Sequence, residues 1–225
     1  MKLNRKNFGN IVVLFLLTAP FNTFPKTNES HEEERLRHHV AVSGTLSSSD
    51  TYSIEGEYHF MLMKYLGIGG AIGYWSNYFD DGKASGSGWS VSDDFNKPSN
   101  LYLRPSLILK SPGLKYKETT WSLFAEPGIM LNIPYRRVEI ESTRRGPWVE
   151  YDYISTNEGQ WLALELRLGI NIDIDQLSFS AGYFMSNLDI YSQYRHLSYR
   201  GVSFKDYYPD KPFMQGGYLT ISYSF

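Results

Sequence analysis

The sequence predicts an all-β chain: eight antiparallel strands running up and down into a closed barrel that crosses a membrane. Three observations predict it. Eight segments between 39 and 225 alternate with period two, as side chains do along a strand. One face of every segment is apolar and free of charge. The connections between segments alternate between short and long.

The first element lies ahead of the strands. Lys2, Arg5 and Lys6 precede an apolar run over 11–17, and Thr18, Ala19 and Pro20 follow. A basic flank, a short apolar core and small or turn-forming residues read as a secretory signal peptide, assigned to 1–25. Residues 26–38 form a charged lead on the periplasmic side, and 39–225 form the barrel. The lead carries Glu29, Glu32, Glu33 and Glu34, then Arg35, Arg37 and His38. The histidines at 31, 38 and 39 fit no ligand spacing, so no metal is expected there.

The eight segments follow in order. Val40, Val42, Gly44 and Leu46 share a face in the first, and Tyr52, Ile54, Gly56, Tyr58, Phe60 and Leu62 in the second. Ile68, Gly70, Ile72 and Tyr74 mark the third; Leu101, Leu103, Pro105, Leu107 and Leu109 the fourth. The fifth carries Leu123, Ala125, Pro127, Ile129, Leu131 and Ile133, and the sixth Leu162, Leu164, Leu166, Leu168, Ile170 and Ile172. Leu177, Phe179, Ala181, Tyr183 and Met185 make the seventh. Leu219, Ile221, Tyr223 and Phe225 make the eighth, which pairs with the first because only a closed sheet satisfies its backbone in lipid.

A soluble barrel alternates too, with its apolar face inward, so the direction of the faces needs a separate argument. The polar face is rich in small residues such as Ser43, Ser53, Gly69, Ser106, Ser178, Ser180 and Gly182, which suits a narrow lumen. A Lys or Arg facing lipid at the midplane costs ~2–4 kcal/mol, so the charge-free face belongs outside. Short turns over 63–67, 111–119 and 173–176 oppose long connections over 76–100, 134–160 and 187–212, with 47–51 short on the long side. That is the pattern of periplasmic turns and extracellular loops, and it sets both termini in the periplasm. Pro105 and Pro127 break the ladder pattern and call for bulges or local breaks.

The inward face carries Glu55, Glu57, His59, Arg104, Glu126, Glu165 and Arg167. Charges in a narrow lumen must pair with one another. A hairpin centred near Lys115 sets Arg104 opposite Glu126 and predicts an ion pair between them. The set reads as a plug or, alternatively, as the selectivity ring of a narrow porin-like channel.

The signal-like start, the eight segments, the Phe-Ala-Glu-Pro-Gly run at 124–128 and the terminal Tyr-Leu-Thr-Ile-Ser-Tyr-Ser-Phe together resemble the small Gram-negative outer-membrane barrels typified by OmpX and the membrane domain of OmpA. The resemblance spans nearly all of the expected mature chain. It implies an outer-membrane monomer in contact with membrane lipid and lipopolysaccharide. It also implies that the barrel-insertion machinery reads Tyr223 and Phe225. No peptidoglycan-binding domain of the OmpA kind is present in the sequence.

Lipid A deacylases have similar folds, and His196 with Ser198 resembles their His-x-Ser run. Ser-His chemistry needs the base within hydrogen-bond reach of the hydroxyl and an orienting acid, for which Asp189 and Asp206 are nearest. A lipid A-modifying hydrolase is therefore the second alternative.

The long loops are aromatic, with Trp89, Trp148, Tyr151, Tyr153, Tyr194 and Tyr199 among others, and acidic at Asp80, Asp81, Asp93 and Asp94. Such aromatics suit an extracellular glycan or protein ligand, or anchoring in lipopolysaccharide. With 22 Lys and Arg against 24 Asp and Glu, no nucleic-acid partner is expected. With no cysteine there is no thiol nucleophile or thiolate metal site, and no cofactor is expected. The leading reading is a non-enzymatic barrel with a plugged polar lumen, acting structurally or through its surface loops.

Overall fold

The computed structural model describes residues 37–78, 82–133, 135–143 and 148–225, and for Asp94 the backbone alone. The signal peptide, the lead up to residue 36, and Asp80 and Asp81 lie outside the described residues.

Each alternating segment forms a strand: β1 (His38–Ser47), β2 (Thr51–Met63), β3 (Leu66–Asn77), β4 (Ser99–Lys110), β5 (Thr119–Asn132), β6 (Leu162–Ile174), β7 (Leu177–Ser186) and β8 (Met214–Ser224). Neighbours pair antiparallel in chain order, β5 with β6 included, and β8 closes on β1. At the closing seam His39 lies opposite Ser224, Val42 opposite Ile221 and Ser47 opposite Gly216. The Gly216 position requires glycine, because a Cβ there would collide with the Leu46 carbonyl oxygen. Closure leaves no sheet edge, the condition for a strand structure in lipid.

The apolar face points outward. Val42, Leu46, Ile72 and Leu219 are 63–68% exposed, whereas the alternating Ser43, Thr45, Ala71 and Thr220 are buried. Outward aromatics gather at both rims: Tyr58, Trp121, Phe179, Tyr223 and Phe225 toward the short turns, and Tyr74, Tyr135, Trp161, Tyr183 and Phe213 toward the loops. An apolar band between two aromatic girdles is what a bilayer with two interfaces selects. The protein is a transmembrane barrel.

Pro105 and Pro127 are accommodated without ending their strands. Pro105 keeps its place opposite Gly70 of β3, and Pro127 opposite Leu166 of β6. Of the ladders that contain these prolines, the β4–β5 one is interrupted, resuming at Ser106 with Gly128 and at Leu109 with Ala125. Both missing donors thus fall on one seam, so a single ladder bears the loss. The turn of this hairpin lies at Lys117 and Glu118, with Lys117 at φ 56° and a short strand Leu114–Tyr116 folded onto β5.

The long connections are structured. Val149–Thr156, Arg136–Thr143, Trp89–Val91 and Ser85–Gly86 form a second sheet, and Ser198–Tyr199 pairs with Val202–Ser203 through a turn at Arg200 and Gly201. Ala84, Trp89, Val91, Val138 and Ile140 pack with Leu188, Tyr191, Tyr194, Leu197, Phe204 and Tyr208 into an apolar core. The loops therefore carry a packed cap whose apolar interior is continuous with buried barrel residues such as Trp75 and Phe184.

Candidate functional site

The candidate site is the charged layer in the lumen. Alternation sends Glu55, Glu57 and His59 inward from β2, Arg104 from β4, Glu126 from β5, and Glu165 with Arg167 from β6. All seven are buried, Arg104 and Arg167 completely. The structure brings them into one network.

Arg104 donates through Nη1 to Glu126 Oε1 at 2.8 Å and through Nη2 to Glu55 Oε2 at 2.8 Å and Glu57 Oε1 at 3.2 Å. Arg167 donates to Glu55 Oε1 at 2.5 Å, Glu57 Oε1 at 2.9 Å and Glu165 Oε1 at 2.8 Å. Each guanidinium offers five donors in a fixed fork, which is why two of them serve four carboxylates. The Arg104–Glu126 pair forms, but on a different register from the one expected. Leu103 faces Leu131 and Ser106 faces Gly128, so the two charges are diagonal and not opposite. The turn lies beyond Lys115, and the long guanidinium arm spans the offset, passing over Gly128, where a Cβ would come within 3.2 Å of it.

Two inward tyrosines, absent from the expected lumen set, complete the layer together with the polar-face Ser43 and Ser106. The Tyr102 hydroxyl donates to Glu55 Oε1. The Arg167 guanidinium lies 5.7 Å from the Tyr218 ring centre. Ser106 donates to Glu126 Oε1 at 2.7 Å, and Ser43 accepts from Arg167 Nη1 at 3.1 Å. The signal was present: Tyr102 has the parity of Arg104, and Tyr218 that of Thr220.

Above the charges, toward the loops, Trp75, Met130, Ala163, Phe184 and Met214 are buried apolar side chains. Toward the short turns lies a cavity of about 20 Å³ lined in part by His59, Met61, Ile108 and Lys110. That volume holds about one water. Among the described residues, Glu57, His59 and Glu126 are the group whose donor atoms come together as a metal's ligands would.

The other candidates are spread over the cap and rim. Trp148, Tyr151 and Tyr153 are exposed, Tyr199 is half-buried, and Trp89 and Tyr194 face the cap interior. Trp89 stacks on Phe204 at 5.9 Å, and the Tyr194 hydroxyl donates to the Phe95 carbonyl at 2.7 Å. Their burial follows from the loop core, so these two are packing residues and not surface ones. Tyr199 donates to the Asp152 carboxylate, which raises its phenol above the ordinary range. His196 Nδ1 is bonded to the Ser192 carbonyl at 2.7 Å, no hydrogen bond joins it to Ser198, and Asp189 is held by Arg195. The structure does not assemble a triad from them. Tyr223 donates to Gln176 Oε1 at 2.6 Å on the β7 side, and at the closing seam Phe225 stacks on His38 at 5.7 Å.

A closed eight-stranded fold with an apolar exterior and an ion-paired lumen defines the class: a small barrel of the outer-membrane type. No family model matches the chain, and no curated protein matches it. Solved structures do. A major outer membrane protein from Thermus thermophilus is similar over 84% of this chain and 98% of its own, at 10% identity and a TM-score of 0.47. The outer membrane enzyme PagL is similar over 83% and 99%, at 12% identity and a TM-score of 0.41. The N-terminal β-barrel domain of Pseudomonas aeruginosa OprF is similar over 84% and 96%, at 9% identity and a TM-score of 0.40.

Proposed function

We propose that this chain is a non-enzymatic barrel of a Gram-negative outer membrane, with a plugged lumen, extracellular loops and periplasmic termini, acting structurally or through its cap. One observation carries the reading: the buried layer of two arginines and four glutamates, which joins strands across the lumen. Groups so tied make a poor ion path, because a permeating ion must break charge-assisted bonds in a low dielectric. Function is then left to the surface. The hairpin Arg136–Thr143 and Val149–Thr156 carries exposed Trp148, Tyr151 and Tyr153 beside Arg137, whose guanidinium lies 4.1 Å from the Tyr153 ring centre. Aromatic rings with polar tips next to a cation suit lipopolysaccharide or another glycan.

The test compares refolded wild type with a Trp148→Ala, Tyr151→Ala, Tyr153→Ala triple variant on immobilised lipopolysaccharide and on glycan arrays. Binding by the wild type that the triple variant loses supports a surface role through this hairpin. Equal binding, or none by either, removes the hairpin from it.

A further inference from the structure

The lumen charges do not balance. Glu55, Glu57, Glu126 and Glu165 are all buried, and Arg104 and Arg167 are the buried arginines that face them, which leaves two carboxylates in excess. Uncompensated charge is costly in such surroundings, so a compensating positive charge is required.

The place for it is marked by unused donor atoms. Glu57 gives Oε1 to both arginines, while its Oε2 has no hydrogen-bond partner. His59 Nε2 lies 3.0 Å from that Oε2 and 3.9 Å from Glu126 Oε1, yet it too makes no hydrogen bond. These two buried atoms face each other at ion-pair distance, 3.0 Å, but without a hydrogen bond, and one donor atom from each of the three residues lies within 4.8 Å of the others. The His59 ring is confined, since a Cβ on Gly69 would meet its Cδ2 at 2.7 Å. Arg167 holds Glu57 through Oε1 and leaves Oε2 toward His59, while Arg104 and Ser106 fix Glu126 through Oε1. A water-sized cavity lies beside His59.

We propose that Glu57, His59 and Glu126 bind one divalent transition-metal ion inside the barrel, whose two charges offset the two excess carboxylates. One imidazole nitrogen with two carboxylate oxygens is a donor set for Zn²⁺, with Mn²⁺ or Co²⁺ next. Ca²⁺ and Mg²⁺ prefer all-oxygen shells and are disfavoured. Two of the site's donor atoms, Glu57 Oε2 and His59 Nε2, are left over by the arginine network, while Glu126 is shared with Arg104 and Ser106.

The experiment uses the full chain without a polyhistidine tag, refolded in detergent and stripped with chelator. It is given Zn²⁺, desalted and assayed for bound metal beside His59→Leu and Glu126→Gln, with folding followed by heat-dependent gel mobility. Roughly one zinc per folded wild-type chain, lost in His59→Leu, is expected. Co²⁺ in the wild type should add visible absorption of low-symmetry nitrogen and oxygen ligation, a readout that does not depend on either variant folding. Folded wild type that retains no zinc and shows no cobalt spectrum would overturn the site and leave protons as the balancing charge. Zinc retained equally by folded His59→Leu would overturn it as well, assigning the metal to histidines elsewhere.

Discussion

Arg167 Nη2 lies 2.5 Å from Glu55 Oε1 across the lumen, joining β6 to β2, two strands that share no ladder. A barrel wall is held by neighbour-to-neighbour pairing; this bond and those from Arg104 to Glu55 and Glu57 cross its interior. The charged layer is therefore part of what fixes the cross-section, as well as part of what fills it.

Arg167→Ala leaves Glu55, Glu57 and Glu165 with a cation fewer in a buried site. Removing one partner of a buried pair costs about 3–5 kcal/mol. The expected outcome is a loss of that size in urea unfolding from phospholipid vesicles. A loss near zero would mean that water enters the lumen and screens the charges.

Tyr102→Phe deletes one donor to Glu55 and little else. A hydrogen bond to a charged group contributes about 1.5–3 kcal/mol, and the same unfolding assay should lose about that much. Gly73→Ala should act on the same contact, because a Cβ at 73 would collide with the Tyr102 ring.

The outward face admits an independent check. Ile72 stands mid-strand on the lipid side and is 67% exposed in the isolated chain. Ile72→Lys should cost about 2–4 kcal/mol in a bilayer. A neutral result would mean that this face does not meet lipid at midplane depth.

Arg136 ties the cap together, donating to the carbonyls of Phe95 at 3.2 Å, Lys97 at 2.6 Å and Ser99 at 3.3 Å, and to the Tyr194 hydroxyl. Arg136→Ala should expose the loops to limited proteolysis while the barrel keeps its heat-dependent gel mobility. Unchanged cleavage would mean that the apolar loop core holds the cap without it.

The strands were legible because lipid outside and a narrow lumen inside impose a strict two-residue period, which Leu162 to Ile172 displays without a break. The register was less so. Arg104 and Glu126 found each other through side-chain length, while the turn position depended on which residue accepted a positive φ, here Lys117. The cap was missed because its signals are short: Val138 and Ile140 alternate with charged Arg137, Glu139 and Glu141, and Trp89 and Val91 flank Ser90 over three residues. Burial of Trp89 and Tyr194 depends on long-range packing against Phe204 and Tyr208, which a local pattern cannot carry. The donor group of Glu57, His59 and Glu126 spans two strands that are not neighbours, so no linear spacing announces it.

Single-channel conductance of refolded wild type in planar bilayers, beside Arg104→Ala and Glu126→Ala, bears most directly on the plugged lumen. A plugged barrel gives a silent wild type and discrete openings in at least one variant, as loss of an ion pair loosens the plug. Steady stepwise conductance in the wild type would contradict it and make the same charges a selectivity ring.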